Sequence, residues 1–436
     1  GLQSVSLSAN WMWACKNEGE DARLYEAVKG CSDFAIELGI NIPTGKDSLS
    51  MKQKYPNDEV IAPGTVIISA AGNCSNITKV VEPVLQRNGG NIYYLNLSQD
   101  SFKLGGSSFA QVLNKIGNDV PTIQNSEFFK KAFNLLQDLI KDRKIKAGHD
   151  IGSGGLITTL LEMCFADTKL GAFIDLTSLG EKDTVKALFN ENIAVVFQAD
   201  EAVEKEFAAQ NIELFKVGSV VEGDTFTVIN HEDSFTFNPA TLRDNWFKTS
   251  FLLDAKQSKN GMAQERYTNY KNQPLQFTFP AHFDGKLPVI DVSKPKPKAA
   301  IIREKGSNSE REMANAMFLA GFDVKDVHMT DLISGRENLE DIQFIGAVGG
   351  FSNSDVLGSA KGWAGAFLYN EKANTALKNF FKREDTLSVG ICNGCQLLME
   401  LELINPEHEV HGKMQHNTSN KHESGFTSVL IQKNNS

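Results

Sequence analysis

The sequence predicts a multidomain protein: an α+β region followed by an α/β domain built on a doubly wound parallel sheet. Three observations lead there. The 436 residues are enough for about two to four domains. Up to about residue 245, strand-like runs and helices mix irregularly with glycine-rich turns. From Lys298 onward, strands and helices alternate, the pattern of a parallel sheet.

Taken in order, Leu24, Ala27, Val28, Cys31, Phe34, Ala35 and Leu38 recur at helical spacing, and Gly39 is a stop signal. Ile40 to Ser48 reads as a short extended piece turning into a polar loop that carries Lys46 and Asp47. Gly64 to Ala71 is a compact apolar run of the kind found in buried strands. A new pattern begins near Lys79. Asn91 to Leu97 reads as a strand, and Leu104-Gly105-Gly106-Ser107-Ser108 is a turn leading into a helix from Phe109 to Ile116. Another helix covers Glu127 to Ile140. Gly148-His149-Asp150 then meets Gly152-Ser153-Gly154-Gly155, which opens a helix from Leu156 to Phe165. Strands are expected at Ala172–Leu176, Ile193–Gln198, Phe215–Val221 and Thr225–Ile229.

From about Leu242 the pattern loosens into Gln, Asn, Lys and Pro, and 246–297 reads as a linker. The last region has strands at Ala299–Arg303, Phe322–Val327, Phe344–Gly350 and Thr386–Gly390, with a helix from Ser309 to Ala320. Ligands of such sheets bind at the carboxyl ends of strands, where both glycine turns of this region fall.

Composition narrows the function classes. Apolar content of 41% and charge of 22% fit a globular protein. A net charge of −10 argues against non-specific nucleic-acid binding, and Lys294-Pro295-Lys296-Pro297-Lys298 reads as a charged linker. Six scattered cysteines are not a disulfide framework, and no apolar run is long enough for a membrane span. The start Gly1-Leu2-Gln3-Ser4 is neither a signal peptide nor a Met start, which points to a fragment from a reducing cytoplasm.

The strongest chemical signal is Cys392. A strand, then Gly390-Ile391-Cys392-Asn393-Gly394, then an apolar helix over Leu397–Leu403 has the layout of a nucleophile elbow. Small neighbours permit the tight turn. The following helix start favours negative charge on sulfur and offers backbone N–H groups to an oxyanion. A buried, inert Cys is the bland alternative. A redox or zinc role for Cys392 and Cys395 has no second cysteine pair to support it.

With Gln396, the phrase resembles the Gly-x-Cys-x-Gly-x-Gln signature of class I glutamine amidotransferases. The second cysteine and the turn Gly349-Gly350-Phe351-Ser352-Asn353-Ser354-Asp355-Val356-Leu357-Gly358 resemble one branch, the large, fused phosphoribosylformylglycinamidine synthases of purine biosynthesis. The resemblance implies a flavodoxin-like glutaminase domain over 298–436, with Cys392 as nucleophile and Gly350 and Phe351 near the oxyanion. Gln396 would hold substrate glutamine, and Cys395 has no catalytic role. Such a nucleophile needs a base. In the family it lies in a C-terminal His-x-Glu segment. Here His408, His411, His416 and His422 read as surface loop histidines, so the domain is expected to be incomplete and inactive alone.

The first part resembles the synthetase portion of the same family. Its motifs are Leu7-Ser8-Ala9-Asn10-Trp11-Met12, the stretch from Gly19-Glu20-Asp21-Ala22 to Val28, and Gly45-Lys46-Asp47-Ser48-Leu49-Ser50-Met51. The implied fold is aminoimidazole-ribonucleotide-synthetase-like, with an N-terminal subdomain ending over 1–78 and a C-terminal subdomain over 79–245. Asp150 would bind Mg²⁺ of an ATP or ADP, beside Gly152 and Gly154. The family commonly reads His-Asp-x-Ser-Asp-Gly-Gly there, and this chain has Gly152 and Ser153 instead. Gly105, Gly106, Ser107, Lys46 and Asp47 are weaker candidates for a substrate or phosphate contact. The implied enzyme uses glutamine, ATP and formylglycinamide ribonucleotide to form the amidine. It would be monomeric in its full-length form, with no nucleic acid or membrane partner. The competing readings are a nucleotide-binding scaffold without catalysis and a free-standing cysteine glutaminase or hydrolase.

Overall fold

The computed structural model describes residues 1–272, 275, 278, 281–286, 289, 291, 293 and 295–430. Lys294 of the basic run lies outside them. The chain divides into two compact units, Gly1–Lys256 with Ala263–Gly285, and Gln257–Met262 with Lys286–Ser436.

The first unit opens with a small sheet. Val5–Met12 pairs in parallel with Asn41–Ser48 and antiparallel with Thr65–Gly72. Helix Glu20–Leu38 makes the crossover and ends at Gly39, whose left-handed φ of 73° lets its N–H reach the last carbonyls. Two expectations change here. The polar stretch after Ile40 is a strand, because the neighbouring strand supplies its backbone partners. The apolar run at 65–72 is a strand as expected, but it is exposed throughout, Ile67 by 53%. An apolar run marks a strand; burial also requires something packed on it.

The larger sheet of this unit has seven strands, in the order Asp233–Phe237, Phe226–Asn230, Leu170–Asp175, Phe215–Glu222, Asn91–Asn96, Ala194–Ala199 and Ile145–Asp150. Asn91–Asn96 is apolar at every inner position because both of its faces are covered. Ile92 and Tyr94 pack under the helices Gly155–Phe165 and Thr184–Phe189. Tyr93 and Leu95 pack under Ser126–Lys141 and Val203–Ala209. Strand Asp233–Phe237 had no expectation in the sequence. Much of 239–269, read in part as linker, is helical: Pro239–Gln257 and Met262–Asn269. Their holding contacts are aromatic, with the Phe247 and Tyr270 rings 4.1 Å apart and Phe251 and Tyr267 4.6 Å apart. Such distant partners leave no helical periodicity to read.

The second unit is a four-stranded parallel sheet, ordered Asp323–His328, Lys298–Arg303, Phe344–Ala347, Leu387–Gly390. In chain order this is 2-1-3-4, the flavodoxin-like doubly wound arrangement. Ile301, Ile302, Val327, Trp363, Phe367 and Phe380 form its core with Leu397. Lys296 of the basic run stands over the Phe318 ring at 4.9 Å. Among the described residues no helix is long and apolar enough to cross a membrane.

Candidate functional site

Strand Leu387–Gly390 runs beside Phe344–Ala347 and delivers Cys392 to the carboxyl end of the sheet. Cys392 is exposed, has φ 55° and ψ −111°, and directly precedes helix Asn393–Glu400. Such a backbone is rare for a residue with a Cβ and is the strained corner that the elbow pattern predicts. The residues two before and two after Cys392 must be glycine. A Cβ on Gly394 would lie 2.1 Å from the Ala347 carbonyl oxygen, and one on Gly390 would lie 2.5 Å from that of Gly394. The sulfur sits against Gly349, whose added Cβ would be 3.9 Å from Sγ.

The facing turn starts at Gly349–Gly350, which pairs with Ser307–Asn308. Gly350 has φ 107°, and a Cβ there would meet the Asn308 nitrogen at 2.7 Å. The structure therefore brings Gly349 to Cys392 and places Gly350 next to it in sequence. Phe351 is different: its N–H donates to the Gly306 carbonyl at 2.9 Å, so in this conformation that donor is committed away from an oxyanion.

Gln396, one turn after Cys392, lines a cavity of about 750 Å³ with Glu400, Lys361 and the segment Met414 to His422. His416 and His422, exposed residues of loop segments, are part of this wall. His411 instead has its Nε2 3.7 Å from Glu402.

One residue here escaped sequence reasoning. Asn393 is fully buried. Its Oδ1 accepts from the Ser352 N–H at 3.1 Å, and its Nδ2 donates to Asp355 at 3.2 Å and to Gln396 Oε1 at 3.0 Å. It stood inside the motif, but only a contact across 41 positions reveals what it does.

In the first unit, Asp150 ends the strand Ile145–Asp150 with its side chain 85% exposed. His149 lies alongside, Nδ1 3.4 Å from the Asp150 carboxylate and Nε2 3.4 Å from Glu162. Gly152 is open, with nothing near an added Cβ. The Gly154 N–H, however, donates to Glu191 Oε1 at 2.8 Å, and the same oxygen accepts the Ser108 N–H at 2.8 Å. One carboxylate thus ties both glycine-rich turns together and fills the anion position at the start of helix Gly155–Phe165. Glu191 belongs to no motif, and its spacing gave no signal.

The turn at Leu104–Ser108 is satisfied by other parts of the protein. Gly105 and Gly106 donate to the carbonyls of Asp119 and Ile116 at 2.8 and 2.6 Å. Ser107 is buried and caps the helix Ser108–Val112, accepting from the Ala110 N–H. These groups are held by the fold and none is offered to a ligand. Lys46 and Asp47 are exposed in the strand Asn41–Ser48, and the Lys46 ammonium contacts Ser48. Among the described residues no cluster of three metal-ligating side chains occurs. Asp150 fits a single carboxylate ligand to magnesium, an ion that takes its remaining ligands from phosphate and water. Gly154 does not fit a phosphate contact while Glu191 holds it.

Comparison with known proteins follows the same division. Residues 1–73 match an FGAR-AT PurM_N-like domain, 88–230 the C-terminal domain of AIR synthase related proteins, and 296–436 a CobB/CobQ-like glutamine amidotransferase domain. A probable phosphoribosylformylglycinamidine synthase of Arabidopsis thaliana, described as chloroplastic/mitochondrial, is 39% identical over 99% of this chain. The chain spans 32% of that relative's length. Among solved structures, PurL of Thermotoga maritima complexed with FGAR is 14% identical, with a TM-score of 0.40, over 55% of this chain and 39% of its own. The hydrogenase maturation protein HypE in complex with ATP is also 14% identical, with a TM-score of 0.39, over 54% of this chain and 74% of its own.

Proposed function

Because this chain is related over 99% of its length to phosphoribosylformylglycinamidine synthase, we propose that it supplies the glutaminase nucleophile and part of the synthetase shell of such an enzyme. The reaction is the ATP-dependent conversion of formylglycinamide ribonucleotide to its amidine, with glutamine as nitrogen donor. The observation that carries this reading is Cys392 itself. It is an exposed thiol on a left-handed backbone at a strand–helix junction, facing a glycine turn and one helical turn from Gln396.

In the proposed mechanism, glutamine enters the cavity beside Gln396 and the Cys392 sulfur attacks its carboxamide carbon. Negative charge develops on the amide oxygen. It is stabilised by Gly350 and by the positive end of helix Asn393–Glu400, which starts directly after the sulfur-bearing residue. The carbon–nitrogen bond breaks, the nitrogen takes up the proton given up by the Cys392 thiol and leaves as ammonia, and water cleaves the remaining glutamyl thioester to glutamate, returning a proton to the sulfur. Ammonia then displaces phosphate from the amide carbon that ATP has activated. Asp150 would hold Mg²⁺, which neutralises phosphate charge when bound. Phe351, Gly154, Gly105, Gly106 and Ser107 carry less weight because their polar groups are already bonded within the fold, whereas Gly152 is open and Lys46 and Asp47 are exposed.

The test separates the two nitrogen sources. In the enzyme containing this chain, Cys392→Ala should abolish amidine formation from glutamine and leave formation from ammonium salts within about twofold. Equal loss with both sources would remove the nucleophile role, since the sulfur would then act in the synthetase step or in folding.

A further inference from the structure

The turn facing Cys392 contains three consecutive residues with left-handed backbones, Asn353, Ser354 and Asp355, with φ of 52°, 56° and 49°. None is glycine, so each is disfavoured on its own. A run of three persists only where surrounding contacts over-determine it. Backbone bonds supply part of them, from the Asn353 N–H to the Lys305 carbonyl and from the Ser354 N–H to that of Phe351, both at 2.9 Å, and the side-chain contacts converge on Asn393. Asn393 accepts the Ser352 N–H before the run and donates to Asp355 at its end, where Asp355 also accepts the Ala360 N–H at 3.2 Å. Its third bond, donated to Gln396 Oε1, fixes the orientation of that amide. Asn393 is also the residue directly after the nucleophile, so its backbone sets the Cys392 corner while its side chain sets the opposite wall.

We propose that Asn393 is a positioning residue for Cys392, holding the oxyanion turn and the glutamine-facing Gln396 in one geometry through a single buried amide. This rests on the glutaminase reading. The chemistry requires an amide at this point. Its oxygen must accept from a backbone N–H while its nitrogen donates to a carboxylate and a carbonyl-type oxygen. Aspartate keeps the first bond, loses both donors and places a second negative charge beside Asp355. Asparagine at 355 would restore a donor toward that carboxylate, and the Gln396 amide can turn over to present its own nitrogen.

The experiment compares two reagents on the enzyme containing this chain. One is the glutamine-mimicking electrophile 6-diazo-5-oxo-norleucine; the other is iodoacetamide, which reads thiol access alone. Asn393→Asp should slow modification of Cys392 by the mimic by about 10–100-fold, the scale of a reacting group displaced by about an ångström. Iodoacetamide should react within about twofold of wild type. The pair Asn393→Asp with Asp355→Asn should recover part of the loss, since the Asp355 oxygen that faces Asn393 also accepts the Ala360 N–H. Unchanged mimic labelling in Asn393→Asp, or an equal fall with both reagents that the swap does not recover, would overturn the assignment. A wild-type enzyme containing this chain whose Cys392 reacts with iodoacetamide but not with the mimic would instead overturn the glutaminase reading, and the assignment with it.

Discussion

Replacing Gly394 by alanine tests whether the elbow depends on close backbone packing. The added Cβ would lie 2.1 Å from the Ala347 oxygen, 2.5 Å from its carbon and 2.8 Å from the Val348 oxygen, where ordinary contact is 3.4–4 Å. All three atoms belong to the backbone at the end of a central strand, so no side chain can swing aside. The helix start must retreat by about an ångström, and overpacking of this kind costs about 1–3 kcal/mol. A displacement of that size at a reacting group costs about 100-fold in rate. The expected result for Gly394→Ala is a lower urea midpoint for the second unit and Cys392 labelling by a glutamine mimic slowed about 100-fold. Gly425→Ala is the control, because nothing lies within 4 Å of its added Cβ. If Gly394→Ala melts and labels like Gly425→Ala, the tight-turn account of the elbow is wrong.

Three further outcomes follow from the same contacts. Glu191→Gln should raise amide hydrogen exchange at both Ser108 and Gly154 and cost about 1–3 kcal/mol, since one charged acceptor serves both donors; protection lost at one turn alone would contradict the shared clamp. Burial alone would raise the Glu337 carboxyl, but the Lys325 ammonium and the N–H groups of Leu339 and Asn338 outweigh it and hold the group below its ordinary 4.5. Its contribution is therefore present above that value and lost as pH falls through the depressed one, so Glu337→Gln should cost about 1–3 kcal/mol at neutral pH. The two stability curves should converge in acid, and a gap independent of pH would disprove the ionic origin. Asp150→Ala should weaken magnesium-dependent ADP binding about tenfold or more by calorimetry, and unchanged binding would remove its metal role.

Local chemistry with a local signature was legible. The elbow around Cys392 is written in consecutive residues, as is the doubly covered strand Asn91–Asn96. What depends on distant partners was not. Helix Pro239–Gln257 is held by stacked aromatics from a later segment, so its own pattern looks like linker. Ser107 carries the residue type of a phosphate contact but serves as a helix cap, a choice made by the Ala110 N–H. Glu191 and Asn393 act across 83 and 41 positions, and nothing in spacing or composition marks them.

The most direct test of the central claim is residue-resolved mass spectrometry after limited reaction with 6-diazo-5-oxo-norleucine. Cys74 is exposed like Cys392 and serves as the internal reference, and Cys395 tests the neighbouring thiol. The account predicts an adduct on Cys392 in large excess over Cys74 and Cys395, suppressed by added glutamine. Labelling spread evenly over the exposed cysteines, or concentrated on Cys395, or indifferent to glutamine, would contradict it.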